Sequence, residues 1–485
     1  MLFKQSIHYV TGHVLLMIGG FISFPILTRI FSVSDYGILG LISTTLFFGA
    51  AILKCGFPSA VVQFYAEFKS KNQGENFCST LFFASLFTIG GLTSLLIVLT
   101  QLIGPKFLDK NLVHLSTLAC ILLFLGVITD IVTSFLRAQQ RAKLFNIIAI
   151  LRRYGSLAIS LFVVLFLMRS LYGFYFGQAV SGLIVLLSLI YVLSTSQKIS
   201  LGGFSRDILK EAITFGLPLV WIELAHLILN YIDRYLIQFY LGSHALGLYT
   251  AGYTLSIHAT DVILFPVSYT ITPIYMEILV NKGVAETQKF FSKVFTYYWM
   301  ITIPFVLGFI AVGKDLITLL ASNKYIEAYT VIPFVVVGQA MYISQIISNS
   351  GLFIKKKTQI VGFLMAAACL LKVILNIILI PRFGIVGAAV GTLITYAAYS
   401  LIVSVWSLRV FRFKIAYKSI LLYLGLSSIM FITVINIRMD SQLFTLLSKV
   451  GVGITVYSFL LILFDPEVKM RLLEFWPLKA KTLTK

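Results

Sequence analysis

Long apolar runs separated by short polar stretches dominate the chain. A bilayer's hydrocarbon core is about 30 Å thick, and a helix rising about 1.5 Å per residue needs about 20 apolar residues to cross it. Fourteen runs of that order are present. They cover residues 8–31, 36–58, 77–101, 113–136, 144–168, 171–195 and 212–240, then 245–270, 294–313, 326–352, 359–380, 384–408, 419–437 and 443–464. A transmembrane barrel would show segments of about ten residues alternating in polarity, and these runs are too long and too evenly apolar for that. The pattern predicts an all-α integral membrane protein with 14 transmembrane helices. The longest interruption, 271–293, has 23 residues and is expected to be a loop, so no soluble domain is expected.

Composition sharpens this picture. Hydrophobic residues make up 59% of the 485, charged residues 12%, and mean hydropathy is +0.96; an average soluble domain is about 25% charged. The formal net charge of +20 raises nucleic acid as a partner, and the placement of the basic residues removes it. Of 38 Lys and Arg, 24 fall in the loops and tails on the side of the N-terminus, 7 on the opposite side and 7 within the runs. This is the positive-inside asymmetry, and it sets both termini in the cytoplasm. Cys55, Cys78, Cys120 and Cys369 lie in or beside apolar runs without paired spacing, so they are read as packing residues rather than metal ligands or disulfides. The first run follows one lysine and has no small-residue cleavage site, and is read as a retained helix. No phosphate-cradling G-x-x-x-x-G-K-[ST] pattern is present, so ATP hydrolysis by this chain is not expected. The short outer loops hold few acids, among them Asp109, Asp315 and Asp440, too few for a catalytic constellation.

An internal repeat recurs at an offset of 210 residues. "GQAVSGLI" from Gly177 aligns with "GAAVGTLI" from Gly387, identical at five of eight positions. The same offset pairs Gly37 with Gly247, Tyr65 with Tyr275 and Glu67 with Glu277, while Phe57-Pro58 and Phe265-Pro266 correspond with a two-residue slip. Two six-helix lobes follow, 1–211 and 212–418, with two appended helices and a cytoplasmic tail in 419–485. An even helix count gives both lobes one orientation, related by an axis along the membrane normal, as in two-lobed alternating-access transporters with the substrate path between lobes.

Four stretches carry a resemblance: "FPILTRIFSVSDYGILGL" from Phe24, "GFPSAVVQFYAE" from Gly56, "DRYLIQFYLGSHALGLYTAGYTL" from Asp233 and "PRFGIVGAAVGTLITY" from Pro381. Together they resemble the Wzx-type oligosaccharide flippases of polysaccharide biosynthesis, relatives of multidrug antiporters and of the lipid II flippase. The likeness covers most of the first twelve helices. It implies transport without catalysis, by alternating access, of an undecaprenyl-pyrophosphate-linked oligosaccharide repeat unit from the cytoplasmic to the outer leaflet of a bacterial inner membrane. The implied partners are that substrate and membrane lipids, with a polysaccharide polymerase complex as a candidate and a monomer as the expected state. H+ or Na+ is the candidate coupling ion, with no other cofactor. A multidrug antiporter of the same superfamily and a lipid II flippase stay open as alternatives, as does O-antigen against capsule.

A charge deep in hydrocarbon costs at least about 2.5–3.5 kcal/mol on insertion scales, so such residues face a wet cavity or pair with one another. Counted at 1.5 Å per residue, Arg152 and Arg153 lie about 12–14 Å into the fifth run, and Lys372 about 20 Å into the eleventh. A cationic cavity suits a pyrophosphate, whose oxygens an arginine fork matches and a lysine neutralises. The alternative starts the fifth helix near Tyr154 and leaves both arginines in a cytoplasmic loop. Asp233 and Arg234 lie about 32–33 Å into the seventh run, at the outer mouth, with Arg29 at similar depth on the first. They are either a gate or interfacial anchors, the arginine reaching out to water. Arg29, Arg152, Arg153, Arg234 and Lys372 are thus the candidate pyrophosphate and sugar site. Lys54 and Asp130, near the cytoplasmic ends of their helices, are open between the same two roles. Glu223, His226 and Asn230 share one helix face, and His258 and Asp261 share another, making Glu223, His226, His258 and Asp261 candidates for ion coupling. The competing role is a polar patch that hydrogen-bonds two helices.

Overall fold

The computed structural model describes residues 2–107, 110–196 and 200–475, and the statements below concern those residues. Asp109, Lys198, Lys479, Lys481 and Lys485 lie outside them, as do the side chains of Lys4, Lys106, Lys110 and Arg471.

Helices make up the regular structure. They are α1 (Leu2–Ile30), α2 (Val33–Leu53), α3 (Phe57–Ser70), α4 (Gly74–Phe107), α5 (Lys110–Ala138), α6 (Ala142–Ile150), α7 (Ser156–Phe162), α8 (Leu171–Ser196), α9 (Arg206–Ala321), α10 (Ile332–Ser348), α11 (Ser350–Ile354), α12 (Thr358–Val410), α13 (Tyr417–Ile435), α14 (Gln442–Phe464) and α15 (Pro466–Phe475). Among the described residues, eleven helical spans are long and apolar enough to cross a membrane, with a shorter apolar helix at Val14–Ile30. Three of the eleven, Arg206–Val262, Ile271–Ala321 and Thr358–Val410, exceed 50 residues. The runs are not smooth: α9 breaks at Gly242 (φ 81°, ψ −179°) and Gly283 (φ 79°, ψ −174°), and α12 at Gly384 (φ 61°, ψ −142°). These are left-handed φ values at which any Cβ is strained, so glycine marks each break.

Three local features depart from expectation. The stretch 271–293, expected as a loop, is helical except at Gly283. Glu277, Lys282, Glu286 and Lys289 are exposed there, while Ile271, Tyr275 and Phe291 are buried. The second run does not continue to Pro58: left-handed Cys55 and Gly56 end it, and α3 begins. Buried Phe57, Ala60, Val61, Tyr65 and Phe68 follow the 3.6-residue period of an amphipathic helix, and Pro58 suits its first turn. Between α6 and α7 the chain forms a π turn, Leu151–Gly155, with a second at Val163–Leu167. The fifth apolar span starts at Ala142, not near Tyr154, so Arg152 and Arg153 are inside it.

The chain divides into two compact units, one holding the residues up to Leu27 and Ser34–Gln238, the other Thr28–Val33 and the chain from Phe239 on. This grouping follows packing rather than the repeat-based boundary expected at 211/212: inside the first unit, α2 and the first segment of α9 run antiparallel along one seam. A Cβ on Gly56 would lie 2.2 Å from the carbonyl oxygen of Gly216, so the backbones touch there. Further along, the Phe47 and Tyr231 rings are 5.4 Å apart, and Thr45 Oγ1 and Tyr235 Oη share a 2.8 Å hydrogen bond. The first unit's core gathers Phe57, Phe77, Leu81, Val127, Ile131 and Phe135. The second unit has a core cluster of Tyr275, Phe291, Phe295, Tyr298, Ile347 and Phe411. The repeat residues have matching surroundings in their own units. Gly177 faces the backbone of Ser160 on the preceding helix, Gly387 that of Leu379, and Tyr65 and Tyr275 are both buried.

Candidate functional site

A cavity of about 380 Å³ opens within the first unit, walled by α2, α5, the π turn with α7, α8 and the first segment of α9. That size falls in the range of about 300–1,000 Å³ typical of small-molecule sites. Its charged lining is Lys54, Asp130, Arg152 and Glu223, with Thr129, Ser156, Gln178 and Ser181 as neutral polar groups. The four charges form one chain. Arg152 Nη1 lies 2.6 Å from Asp130 Oδ1, Lys54 Nζ lies 3.0 Å from Asp130 Oδ2, and Lys54 Nζ lies 3.6 Å from Glu223 Oε1. One carboxylate therefore bridges two cations, and a second carboxylate stands beside one of them. The side chains are 20–46% exposed, so water reaches the network and each pair is weaker than a dry one would be.

The charged lining of this cavity sums to zero. Of the five candidate cations, Arg152 lines it. Arg153 is the next residue on the helix, so it points about 100° away, to Ser23 Oγ on α1 at 3.2 Å. Arg29 belongs to the second unit, where its guanidinium donates to the Leu319 carbonyl at 2.9 Å. Lys372, also in the second unit, is fully buried, donating to Thr392 Oγ1 with its ammonium over the Tyr396 ring. Arg234 does not reach out to water. It is 6% exposed, donates to Thr44 Oγ1 at 3.0 Å and lies 4.8 Å over the Tyr231 ring, beside fully buried Asp233.

The coupling candidates are distributed over both units. Glu223 joins the cavity network, and one turn further His226 accepts the amide of Asn230 on its carbonyl at 2.8 Å. His258 and Asp261 are half-buried in the second unit. Sequence reasoning weighed Lys54 and Asp130 without assigning them; the partner-rich residue proves to be Asp130. It passed over Lys449, a lone lysine in the last apolar run, which is 8% exposed and lies 2.6 Å from Asp315 Oδ2. Lys449 in the last apolar run and Asp315 in an outer loop are both visible in the sequence, but pairing across helices is not carried by linear spacing.

Comparison with known proteins gives the following. A family model described as polysaccharide biosynthesis protein matches residues 2–279. The chain is similar, at 26% identity over 200 residues, to an uncharacterized membrane protein of Methanocaldococcus jannaschii, a match spanning 40% of this chain and 38% of that relative's length. Its fold is similar to that of the lipid II flippase MurJ, solved in an inward closed conformation, with a TM-score of 0.75 at 16% identity over 96% of this chain and 100% of that one. An inward-facing multidrug resistance MATE transporter of the MOP superfamily gives a TM-score of 0.64 at 16% identity over 81% and 98% of the two chains.

Proposed function

Because the chain belongs to the polysaccharide biosynthesis protein family, we propose that it is a flippase for lipid-linked oligosaccharide. Its cargo would be a sugar repeat unit joined to undecaprenyl through a pyrophosphate, carried from the cytoplasmic to the outer leaflet of a bacterial inner membrane. The observation that carries this is the pair of cations, Arg152 and Lys54, held 2.6 and 3.0 Å from the two oxygens of one carboxylate. Cations spaced to grip both oxygens of a carboxylate are spaced to grip neighbouring oxygens of a diphosphate, and arginine does so through its fork. The sugars would occupy the polar wall of Ser156, Gln178 and Ser181, and the prenyl tail would stay in lipid.

The fold shared with MurJ over almost the whole chain supports a secondary transporter working by alternating access. The breaks at Gly242 and Gly384 support counting the two spans that hold them as two crossings each, which with the other nine spans and the α1 helix gives fourteen crossings and supports two six-helix lobes. An H+ or Na+ gradient would drive the cycle, with Glu223, His226, His258 and Asp261 as the coupling candidates. A polysaccharide polymerase complex is the candidate recipient at the outer face. A lipid II flippase is the second reading, favoured by the MurJ fold and differing only in the sugar. The multidrug antiporter is less well supported, because both cavity carboxylates already have cations beside them.

The deciding experiment uses cells lacking this gene. The flippase proposal expects loss of surface polysaccharide, lipid-linked repeat units retained on the cytoplasmic leaflet, and no rescue by an Arg152→Ala, Lys54→Ala double variant that still inserts normally. Intact polysaccharide with heightened drug sensitivity would replace it with the antiporter.

A further inference from the structure

Asp130 is better placed than any other carboxylate in the cavity to compete with a phosphate. It sits on α5 between Arg152 of the π turn and Lys54 just past the end of α2, and occupies the two cations the flippase proposal assigns to the substrate. Glu223, on the first segment of α9, stands 3.6 Å from Lys54 on its other side. The α8 wall adds only neutral groups, Gln178 and Ser181. The resting cavity thus carries two positive and two negative charges, each cation answered from within the chain.

A diphosphate linked on both ends carries two negative charges of its own. When it takes Arg152 and Lys54, four negative charges face two positive ones inside a space of about 380 Å³. Uncompensated carboxylates in a partly dry site are costly, and the cheap escape is protonation. The two carboxylates are not equivalent in this. Glu223 is 46% exposed and loses one neighbour at 3.6 Å, so water can take over. Asp130 is 31% exposed and loses both of its partners at once.

Resting on the flippase proposal, we propose that Asp130 is an internal stand-in for the substrate's diphosphate and the acceptor of one proton taken up as the substrate binds. Diphosphate displaces Asp130 from Arg152 and Lys54, and the carboxylate takes one proton from water as it is released. Unloading reverses both events: the proton leaves and Asp130 closes again on the two cations. Substrate and proton therefore enter together, and an empty cavity is held shut to other anions by its own carboxylate. This proton travels outward with the cargo, so it is distinct from any ion whose inward gradient drives the cycle.

The test is calorimetric binding of a farnesyl-diphosphate-linked monosaccharide to the purified full-length chain. This diester keeps its two charges across the range used. In two buffers of different ionisation enthalpy, the wild type should show uptake of about one proton per ligand, and affinity should weaken up to about tenfold per pH unit as pH rises through the range of uptake. Asp130→Asn should bind with no uptake and no pH dependence, and at the alkaline end about tenfold more tightly than wild type, because nothing has to be displaced. Wild-type binding that needs Arg152 and Lys54 but takes up no proton would overturn this inference and leave the flippase proposal standing; the buffer comparison reads this without any variant. Uptake unchanged in Asp130→Asn would overturn it equally, moving the proton elsewhere. No binding by wild type, or equal binding by Arg152→Ala and Lys54→Ala, would remove the diphosphate site itself.

Discussion

Two intramembrane cations that look alike in the sequence have different surroundings. Lys372 is fully buried, bonded to Thr392 and stacked over Tyr396, with fully buried Asn376 one turn on. Arg152 is 43% exposed and lines a cavity. Truncating a buried, hydrogen-bonded side chain leaves a void and unmet partners, worth about 2–5 kcal/mol in cores. Lys372→Ala should therefore lower the thermal midpoint and yield of the detergent-purified protein by a clear margin, while Arg152→Ala leaves both near wild type. Equal midpoints for the two variants would put Lys372 back among the substrate ligands. A residue count along a run yields an expected depth along the membrane normal. Which way a side chain faces was not legible in it: Arg234 was counted to the outer mouth, yet Thr44 and the Tyr231 ring claim it. Azimuth depends on neighbouring helices, and no single run encodes those.

At the scale of elements, hydropathy located the spans well. The expected 77–101, 113–136 and 443–464 lie inside α4, α5 and α14. What it missed were places where backbone geometry, not polarity, sets the structure. The elbow at Cys55–Gly56 lies inside an apolar run, so α3 was hidden until its buried face was counted. The π turn that carries Arg152 and Arg153 has no compositional mark. Two left-handed glycines give a test. Gly56 (φ 73°) has Gly216 backbone 2.2 Å from a would-be Cβ, while Gly242 (φ 81°) has open space around it. Gly242→Ala should cost only backbone strain, about 1–3 kcal/mol, and still yield folded protein. Gly56→Ala adds a backbone clash that only separation of α2 from α9 relieves, so it should fail to accumulate in the membrane. A Gly56→Ala protein as abundant and as heat-stable as Gly242→Ala would show that the seam is looser than its geometry implies.

For the molecule as a whole, the 210-residue offset was legible because duplicated glycines sit at close helix approaches in both units, Gly177 on Ser160 and Gly387 on Leu379. Contact grouping does not follow that offset, since side chains on α2 draw the first segment of α9 into the first unit. Crossing number is the whole-molecule property that remains to be measured, and α12 is where it turns. Its 53 residues would span about 80 Å as one straight helix, against a hydrocarbon core of about 30 Å. On the proposed fourteen-crossing count, the break at Gly384 makes α12 two crossings, and with α13 the chain would cross three times between the Lys355–Lys357 turn and Asp440. Three crossings would put those points on opposite sides, with the basic turn in the cytoplasm as the positive-inside asymmetry expects. In a background lacking Cys55, Cys78, Cys120 and Cys369, a cysteine at Asp440 should react with a membrane-impermeant maleimide in intact cells. A cysteine at Lys356 should react only after the inner membrane is opened. Labelling of both from the same side would mean that α12 crosses once, which would undo the fourteen-crossing count and the parallel lobes built on it.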